Sequence, residues 1–250
     1  MRRLLLPPML LVGLVAAWQV AASTGAIANA LSLEDFLVPA PSEIAGSLWD
    51  SRSLLAENGW VTLREILLGI AIALVAGIGF AILMYRWVAI RDATYPLIIA
   101  SQTIPIVVIA PILTVWLGYG IAPKLVIITL ICFFPITVSA LAGLSSADPD
   151  TTKLMRTLDA SRWQIFRRVE APGALPSTFT GTKIAVVLAP IGAVFGEWAG
   201  STSGLGHLIL IDNAQLEVAR QFAAVVVLSA FALVLIGLIA LVERRVVTWR

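Results

Sequence analysis

Residues 60–85 read WVTLREILLGIAIALVAGIGFAILMY, and the only charged side chains in that stretch are Arg64 and Glu65, near its start. Crossing the hydrocarbon core of a bilayer takes about 20 consecutive, mostly apolar residues in helical form. A helix packed on a soluble core keeps a polar face toward water, and this run has none over its last five turns. Gly69, Gly77 and Gly79 interrupt it. Membrane helices tolerate such residues because their neighbours re-satisfy the backbone.

Five more runs of the same kind flank it: Leu4–Ala22, Thr94–Leu117, Leu125–Leu144, Ser177–Phe195 and Phe222–Val242. Across 250 residues the chain is 59% hydrophobic and 13% charged, with a mean hydropathy of +0.95. Soluble domains carry roughly 45–50% apolar and about 25% charged residues. The chain is therefore read as an all-α membrane protein of about six transmembrane helices. The first run follows Arg2 and Arg3 and ends on Ala21-Ala22-Ser23, which resembles a signal-peptide cleavage site. Its 19 residues exceed the roughly 7–15-residue core of a signal peptide. Residues 1–31 are accordingly expected to be an N-terminal transmembrane helix that could serve as a signal anchor.

The basic residues set the expected orientation. With the N-terminus inside, the inner segments 1–3, 86–93, 145–176 and 243–250 hold Arg2, Arg3, Arg86, Arg91, Lys153, Arg156, Arg162, Arg167, Arg168, Arg244, Arg245 and Arg250, against Arg52, Lys124 and Arg220 outside. Positive charge stays on the cytoplasmic side, so both termini are read as cytoplasmic. Residues 32–59 then form a periplasmic surface segment. Pro39-Ala40-Pro41 breaks the chain there, and Ser42-Glu43 opens an amphipathic piece with Ile44, Leu48 and Trp49. It reads either as a helix on the membrane surface or as an irregular tether.

Several chemistries are excluded early. Cys132 is the single cysteine and His207 the single histidine, so neither an intrachain disulfide nor a His/Cys metal cluster can form. Gly181-Thr182-Lys183 lacks the upstream glycine spacing of a phosphate-binding loop. The net charge of +2 gives no reason to expect nucleic acid as a partner. No internal repeat is visible, and the middles of the second, third, fourth and sixth runs hold no charged residue. An ion-coupled secondary carrier, the rival from another class, usually has both features. The spans contain no paired carboxylates to support an acid–base enzyme.

The inner loop, Ser145–Pro176, carries the functional signal. Asp148-Pro149-Asp150 is a strong helix start: a capping acid, a proline at the first helical position, then a second acid near the positive helix end. Leu154, Met155 and Leu158 give that helix an apolar stripe. Asp159-Ala160-Ser161 interrupts it. A second short helix with Trp163, Phe166 and Val169 is expected to end at Pro172-Gly173. Aromatic residues exposed on such a surface fit a helix-in-groove contact with a partner protein. The neighbouring arginines equally fit a helix pair lying on anionic lipid.

The loop resembles the cytoplasmic signature of permease subunits of bacterial ATP-binding-cassette importers. The family pattern is Glu-Ala-Ala, three residues, Gly, nine residues, then Ile-x-Leu-Pro. The matching positions here are Lys153-Leu154-Met155, Asp159, and Val169-Glu170-Ala171-Pro172. The resemblance runs over about residues 32–248 and implies a type I importer-like permease core at 60–248 with coupling helices in the loop 145–176. The stretches "IPIVVIAPILTVWLGYGIAPKLVIITLICFFPI" and "GEWAGSTSGLGHLI" are similar to the subfamily importing nitrate, sulfonates, taurine and thiamine-type pyrimidine precursors, and Gly196-Glu197-Trp198 is most like the pyrimidine branch.

The resemblance further implies a homodimer of this chain, a cytoplasmic ATP-binding-cassette ATPase that alone uses ATP and Mg, a periplasmic or lipid-anchored solute-binding protein, and no cofactor bound here. The implied coupling residues are Lys153, Leu154, Met155, Leu158, Asp159, Ala160, Trp163, Phe166, Val169 and Pro172. Lys153 and Asp159 depart from the family's Glu and Gly. Those changes bear on how tightly the ATPase is held rather than on the architecture, since Asp accepts a left-handed turn better than most residues. Gln102, Thr103, Glu197 and Trp198 are the polar or interfacial residues that a substrate pathway would use. Hydrogen bonding between helices and the interfacial aromatic belt account for them equally well. Lys183 is expected to snorkel to water.

Overall fold

The structure is a computed structural model describing residues 2–249, and among them every regular element is helical. The helices are α1 (Arg2–Ser23), α2 (Ala26–Leu31), α3 (Pro41–Asp50), α4 (Arg52–Arg86), α5 (Val88–Ser101), α6 (Ile106–Leu117), α7 (Ile121–Ser145), α8 (Pro149–Thr157), α9 (Arg162–Ile165), α10 (Ala171–Trp198), α11 (Leu205–Gln215) and α12 (Val218–Val246). Among the described residues, α4, α7, α9 continued into α10, and α12 are each long and apolar enough to cross a bilayer. The pair α5–α6 adds a fifth span if it counts as one.

That pair is the main departure from the expected spans. Residues 94–117 read as a single run, yet α5 and α6 meet at 101°. The cause is local. Pro105 is extended, at φ −64° and ψ 122°, and a proline pushes the preceding residue out of helical conformation. The hydroxyls of Ser101 and Thr103 donate to the carbonyls of Ile98 and Ala100, both at 2.7 Å. Such bonds offer the backbone an alternative to the helical ladder.

The chain forms two compact units. The first comprises residues 1–61 and 203–228. In it Gln19 grips Ser42 twice, its amide Nε2 donating to the hydroxyl at 3.0 Å and its Oε1 accepting from the backbone N–H at 2.9 Å. The amphipathic piece is α3, with Ile44 buried and Trp49 exposed. Its start is closed by the Ala40 N–H donating to Glu43 Oε2 at 2.9 Å. After residue 200 the chain forms α11. The Gly204 N–H at its start donates to Asn58 Oδ1 at 2.8 Å. At its far end Asp212, wholly buried, accepts from Arg220 at 2.7 and 2.9 Å.

The second unit comprises residues 62–202 and 229–250. Its core interleaves Ile66, Ile70 and Ala73 of α4 with Ile128, Cys132 and Ile136 of α7 and Ala185, Val186, Ala189 and Ala193 of α10. Small residues bring these backbones together. A Cβ on Gly181 would sit 2.4 Å from the Pro135 carbonyl oxygen, and one on Gly69 2.4 Å from the Ile128 side chain. In a bilayer, where helices gain nothing by leaving water, such close packing is what favours association.

Candidate functional site: the 145–176 loop and the opposite helix ends

The loop between α7 and α10 is built as two short helices. Asp148 caps α8 by accepting from the Asp150 and Thr151 N–H groups at 3.1 and 3.2 Å and from the Thr151 hydroxyl at 2.6 Å. These three bonds hold its carboxyl below the usual range, because each favours the ionised form. Asp159 then adopts φ +55°, a left-handed turn in which Asp is better tolerated than most residues. Ser161 and Gln164 bond each other's backbone N–H groups in a reciprocal cap, which starts α9.

Pro172-Gly173 does not end the second helix. Residues Phe166–Glu170 form a π-turn, and α9 runs through it into α10 as one apolar element from Arg162 to Trp198. The reason is steric. A proline inside an α-helix clashes with the carbonyl four residues earlier. The wider turn opens that position, and the Ala171 N–H reaches back to the Phe166 carbonyl instead. Tyr85, near the end of α4, lies close enough to Glu170 of the π-turn to interact with its carboxylate.

The expected coupling residues fall on one continuous loop with different exposures. Leu154 is 60%, Leu158 70% and Trp163 65% exposed. Trp163 and Phe166 stack with ring centroids 5.6 Å apart. Lys153 is exposed and paired with Asp150 at 3.1 Å. Met155, Ala160, Val169 and Pro172 are half-buried. The residue that anchors α9 is Ile165, 3% exposed. The apolar spacing of Trp163, Phe166 and Val169 marks one exposed and two half-buried residues and passes over Ile165 between them.

The expected pathway residues separate. Gln102 and Thr103 lie at the α5–α6 break, exposed, and bond locally to Ser101 and Ala100. Trp198 stands edge-on to Phe195 at 5.5 Å. Glu197 is 1% exposed and joins a buried polar cluster that the sequence reading missed. There Lys124 Nζ donates to Glu65 Oε1 at 2.6 Å and to Ser201 Oγ at 2.7 Å, and the Thr62 hydroxyl donates to Glu197 Oε1 at 2.6 Å. Lys124 was assigned to an outer loop. It belongs instead to the first turn of α7, which begins directly after the Gly118-Tyr119-Gly120 turn. One signal was available: Thr62 and Glu65 share a face of α4 at i, i+3. Lys183, expected to reach water, is paired with Glu243 of α12.

Residues 62–248 match the family described as the binding-protein-dependent transport system inner membrane component. Three curated relatives are similar over most of their length. A probable ABC transporter permease protein of Haemophilus influenzae is 38% identical, covering 92% of each chain. The formylaminopyrimidine transport permease protein of Halalkalibacterium halodurans is also 38% identical, covering 87% of each. The riboflavin transport system permease protein of Chloroflexus aurantiacus is 34% identical, covering 86% of this chain and 81% of its own. Among solved structures, an inward-facing methionine ABC transporter chain superimposes with a TM-score of 0.63 at 21% identity, over 80% of this chain and 97% of its own. The fold is thus that of type I importer permeases. With its apolar spans, its α8–α9 loop and this match over residues 62–248, the chain belongs to the inner membrane permease family of binding-protein-dependent ABC importers.

Proposed function

We propose that this chain imports a thiamine-type pyrimidine precursor as half of a homodimeric pathway. Two cytoplasmic ATP-binding-cassette ATPases would drive it, and a periplasmic or lipid-anchored binding protein would deliver the solute. The observation carrying the solute is the 38% identity to a permease named for formylaminopyrimidine transport. The Gly196-Glu197-Trp198 motif supports it from the sequence. The related riboflavin permease and the resemblance to sulfonate, taurine and nitrate permeases favour the same architecture with another small polar solute. Residues 1–31 are the N-terminal span, 32–59 the outer segment and 60–248 the permease core, with both termini cytoplasmic.

The mechanism is alternating access. ATP binding draws the two ATPases together and ATP hydrolysis, with Mg, lets them part; this chain supplies the surface they move. The uncovered apolar groups Leu154, Leu158 and Trp163 are the natural anchors, since a buried large apolar side chain stabilises a contact by roughly 1.5–3 kcal/mol. Gln102 and Thr103, beside the break in the third run, are the polar groups open to a solute.

The test of the solute is uptake. A strain unable to make the pyrimidine and lacking this permease should fail to grow on, or accumulate, labelled formylaminopyrimidine, and the gene in trans should restore both. Unchanged uptake in the absence of any redundant importer overturns the pyrimidine reading. Rescue by taurine or alkanesulfonate as sulfur source would favour the second. Orientation is tested in a Cys132→Ala background with single cysteines at Ser51 and Thr157. Ser51 should react with an impermeant thiol reagent in intact cells, and Thr157 only after lysis.

A further inference from the structure

A cleft of about 420 Å³ opens between α5 and α7 at the 145–176 end. Arg91, Asp92 and Tyr95 line it from α5, and Val138, Leu141 and Ala142 from α7. The two walls differ in kind: one carries an opposite-charge pair and a phenol, the other is the apolar end of a spanning helix. α5 packs on the bundle through Ile90, Tyr95 and Ile98, which meet Met84, Ala140 and Leu141. Arg91 and Asp92 stand where that packing runs out, their side chains 43% and 67% exposed.

These two charges are only loosely committed to each other. Arg91 Nε donates to Asp92 Oδ1 at 3.4 Å, one long bond rather than the two-bond fork of a strong arginine–carboxylate contact. An exposed pair of this kind contributes little to stability. Pro96 adds a further polar feature. It lies inside α5 and has no N–H, so the Asp92 carbonyl four residues earlier lacks its helical donor. One turn of α5 therefore combines the guanidinium donors of Arg91 with two kinds of acceptor on Asp92. A ligand that answers both carries a negative and a positive group, with an apolar part for the α7 wall.

The level of the cleft identifies the source of such a ligand. Trp87, 52% exposed, joins α4 to α5, and the Arg86 guanidinium lies over its ring at 6.0 Å. Tryptophan and arginine at the ends of spanning helices sit at headgroup level. Arg91 follows Trp87 by one helical turn, and Leu141 precedes Ser145, the last residue of α7, by one. The cleft thus lies just inside both helix ends, at the boundary between headgroups and acyl chains. A lipid is already anchored at that depth; a free solute with the same charges is not.

We propose that the cleft binds a zwitterionic phospholipid of the phosphatidylethanolamine class, its phosphate on Arg91, its ammonium on Asp92 and the upper part of its chains against Val138, Leu141 and Ala142. The bound lipid ties α5 to α7 at the base of the 145–176 loop. The ammonium decides between lipid classes. Phosphatidylglycerol gives Arg91 the same phosphate but brings no cation to Asp92. In phosphatidylcholine three methyl groups replace the N–H donors that the Asp92 acceptors need. The site requires only that the chain spans a membrane and is independent of the solute carried.

The experiment is native mass spectrometry of the full-length permease, released from mild detergent with the subunits that copurify, after exposure to equimolar phosphatidylethanolamine, phosphatidylglycerol and phosphatidylcholine of identical chains. The wild type should retain phosphatidylethanolamine over both others. Arg91→Gln should retain it about fivefold less. Asp92→Asn should lose the preference and retain phosphatidylethanolamine and phosphatidylglycerol alike. Ala142→Trp, which fills the cleft from an exposed position, should lower retention of all three. Should a variant fail to assemble, the wild-type discrimination between the ethanolamine and choline headgroups still tests the site. Equal retention of the three lipids by the wild type would overturn the proposal, as would a preference that survives unchanged in both Arg91→Gln and Asp92→Asn. Displacement of the lipid by formylaminopyrimidine would overturn it too, by giving the cleft to the solute.

Discussion

The two ends of the α7–α10 pair invert each other. At the 145–176 end, apolar side chains are uncovered: Leu154, Leu158 and Trp163 are each 60% exposed or more. At the other end, charged side chains are sealed: Glu65, Lys124 and Glu197 are all 6% exposed or less. Solvation cost opposes both arrangements. The first end is unfinished until something covers it, and the second is closed by the Lys124–Glu65 ion pair and the hydroxyls of Thr62 and Ser201. A subunit that must be pushed by a partner at one end and hold its helices together at the other would have this polarity.

The comparison is broken most decisively at Trp163 and Phe166. If the exposed end is an ATPase surface, replacing both with alanine should weaken assembly by about 3–5 kcal/mol, a factor of hundreds or more. Membrane insertion should be unaffected, because the pair lies at the α9 end of the Arg162–Trp198 element, ahead of its apolar run Ser177–Phe195. The measurement is the stoichiometry of ATPase that survives dilution and washing of the purified permease, alongside uptake. If the loop lies on anionic lipid instead, the double variant keeps its ATPase. In that case Arg167→Gln with Arg168→Gln causes the larger, salt-dependent loss, at about 1 kcal/mol per charge.

Next comes the packing that separates the two ends. Gly181→Val puts a side chain where even a Cβ meets the Pro135 carbonyl at 2.4 Å. Overpacking of this kind costs about 1–3 kcal/mol. Thermal unfolding in detergent should shift downward, whereas Gly173→Ala, with no atom within 4 Å of the new Cβ, should leave it near the wild type. Equal effects at the two glycines would remove close helix approach as the element holding the ends in register.

The fold was legible because its signals are long. Runs of apolar residues set the spans, and the cap at Asp148-Pro149 set the start of α8. What was missed rests on contacts between segments far apart in sequence. Lys124 and Glu65 are 59 positions apart, and no periodicity in either helix announces that they meet. The 101° bend at Gln102–Pro105 was masked by composition, since both halves are apolar and hydropathy does not register a change of direction. Pro172 misled in the opposite sense. A helix breaker by rule, it is accommodated by a π-turn that no local pattern in the residues before it foretold. On the exposed side the apolar spacing found Trp163 and Phe166, but only the coordinates show which residue between them, Ile165, holds the helix down.

A smaller effect sits at the turn between the two short helices. Asp159 holds φ +55°, which costs a non-glycine residue up to about 1–2 kcal/mol. Asp159→Gly should therefore stabilise the loop by about 1 kcal/mol or less, and Asp159→Val should destabilise it by more than Gly gains. Hydrogen exchange at the Ala160 amide, which donates to the Met155 carbonyl at 3.0 Å, reports the change. A glycine variant that exchanges faster than the wild type would show that the Asp side chain itself secures the turn.

The smallest expected effect is the pH response of the exposed end. Asp148 is held below the ordinary carboxylate range by the Thr151 hydroxyl and the Asp150 and Thr151 N–H groups. A carboxylate whose folded value is depressed adds stability that is fully present above its unfolded value, near 4, and is lost as the pH falls through the folded one. The first turn of α8 should accordingly loosen only in acid, below about pH 4, and stay unchanged between neutral pH and about pH 5. Asp148→Asn keeps the acceptor oxygen and removes the titration, so its α8 amides should exchange at a pH-independent relative rate. Asp148→Ala should free the Asp150 and Thr151 amides at every pH. The buried end supplies the control: Asp148 variants should leave the contacts of Glu65, Lys124 and Glu197, and with them the thermal unfolding temperature, unchanged. If acid loosens both ends together in the wild type and in Asp148→Asn alike, the exposed cap is not what titrates. The independence of the two ends would then be lost.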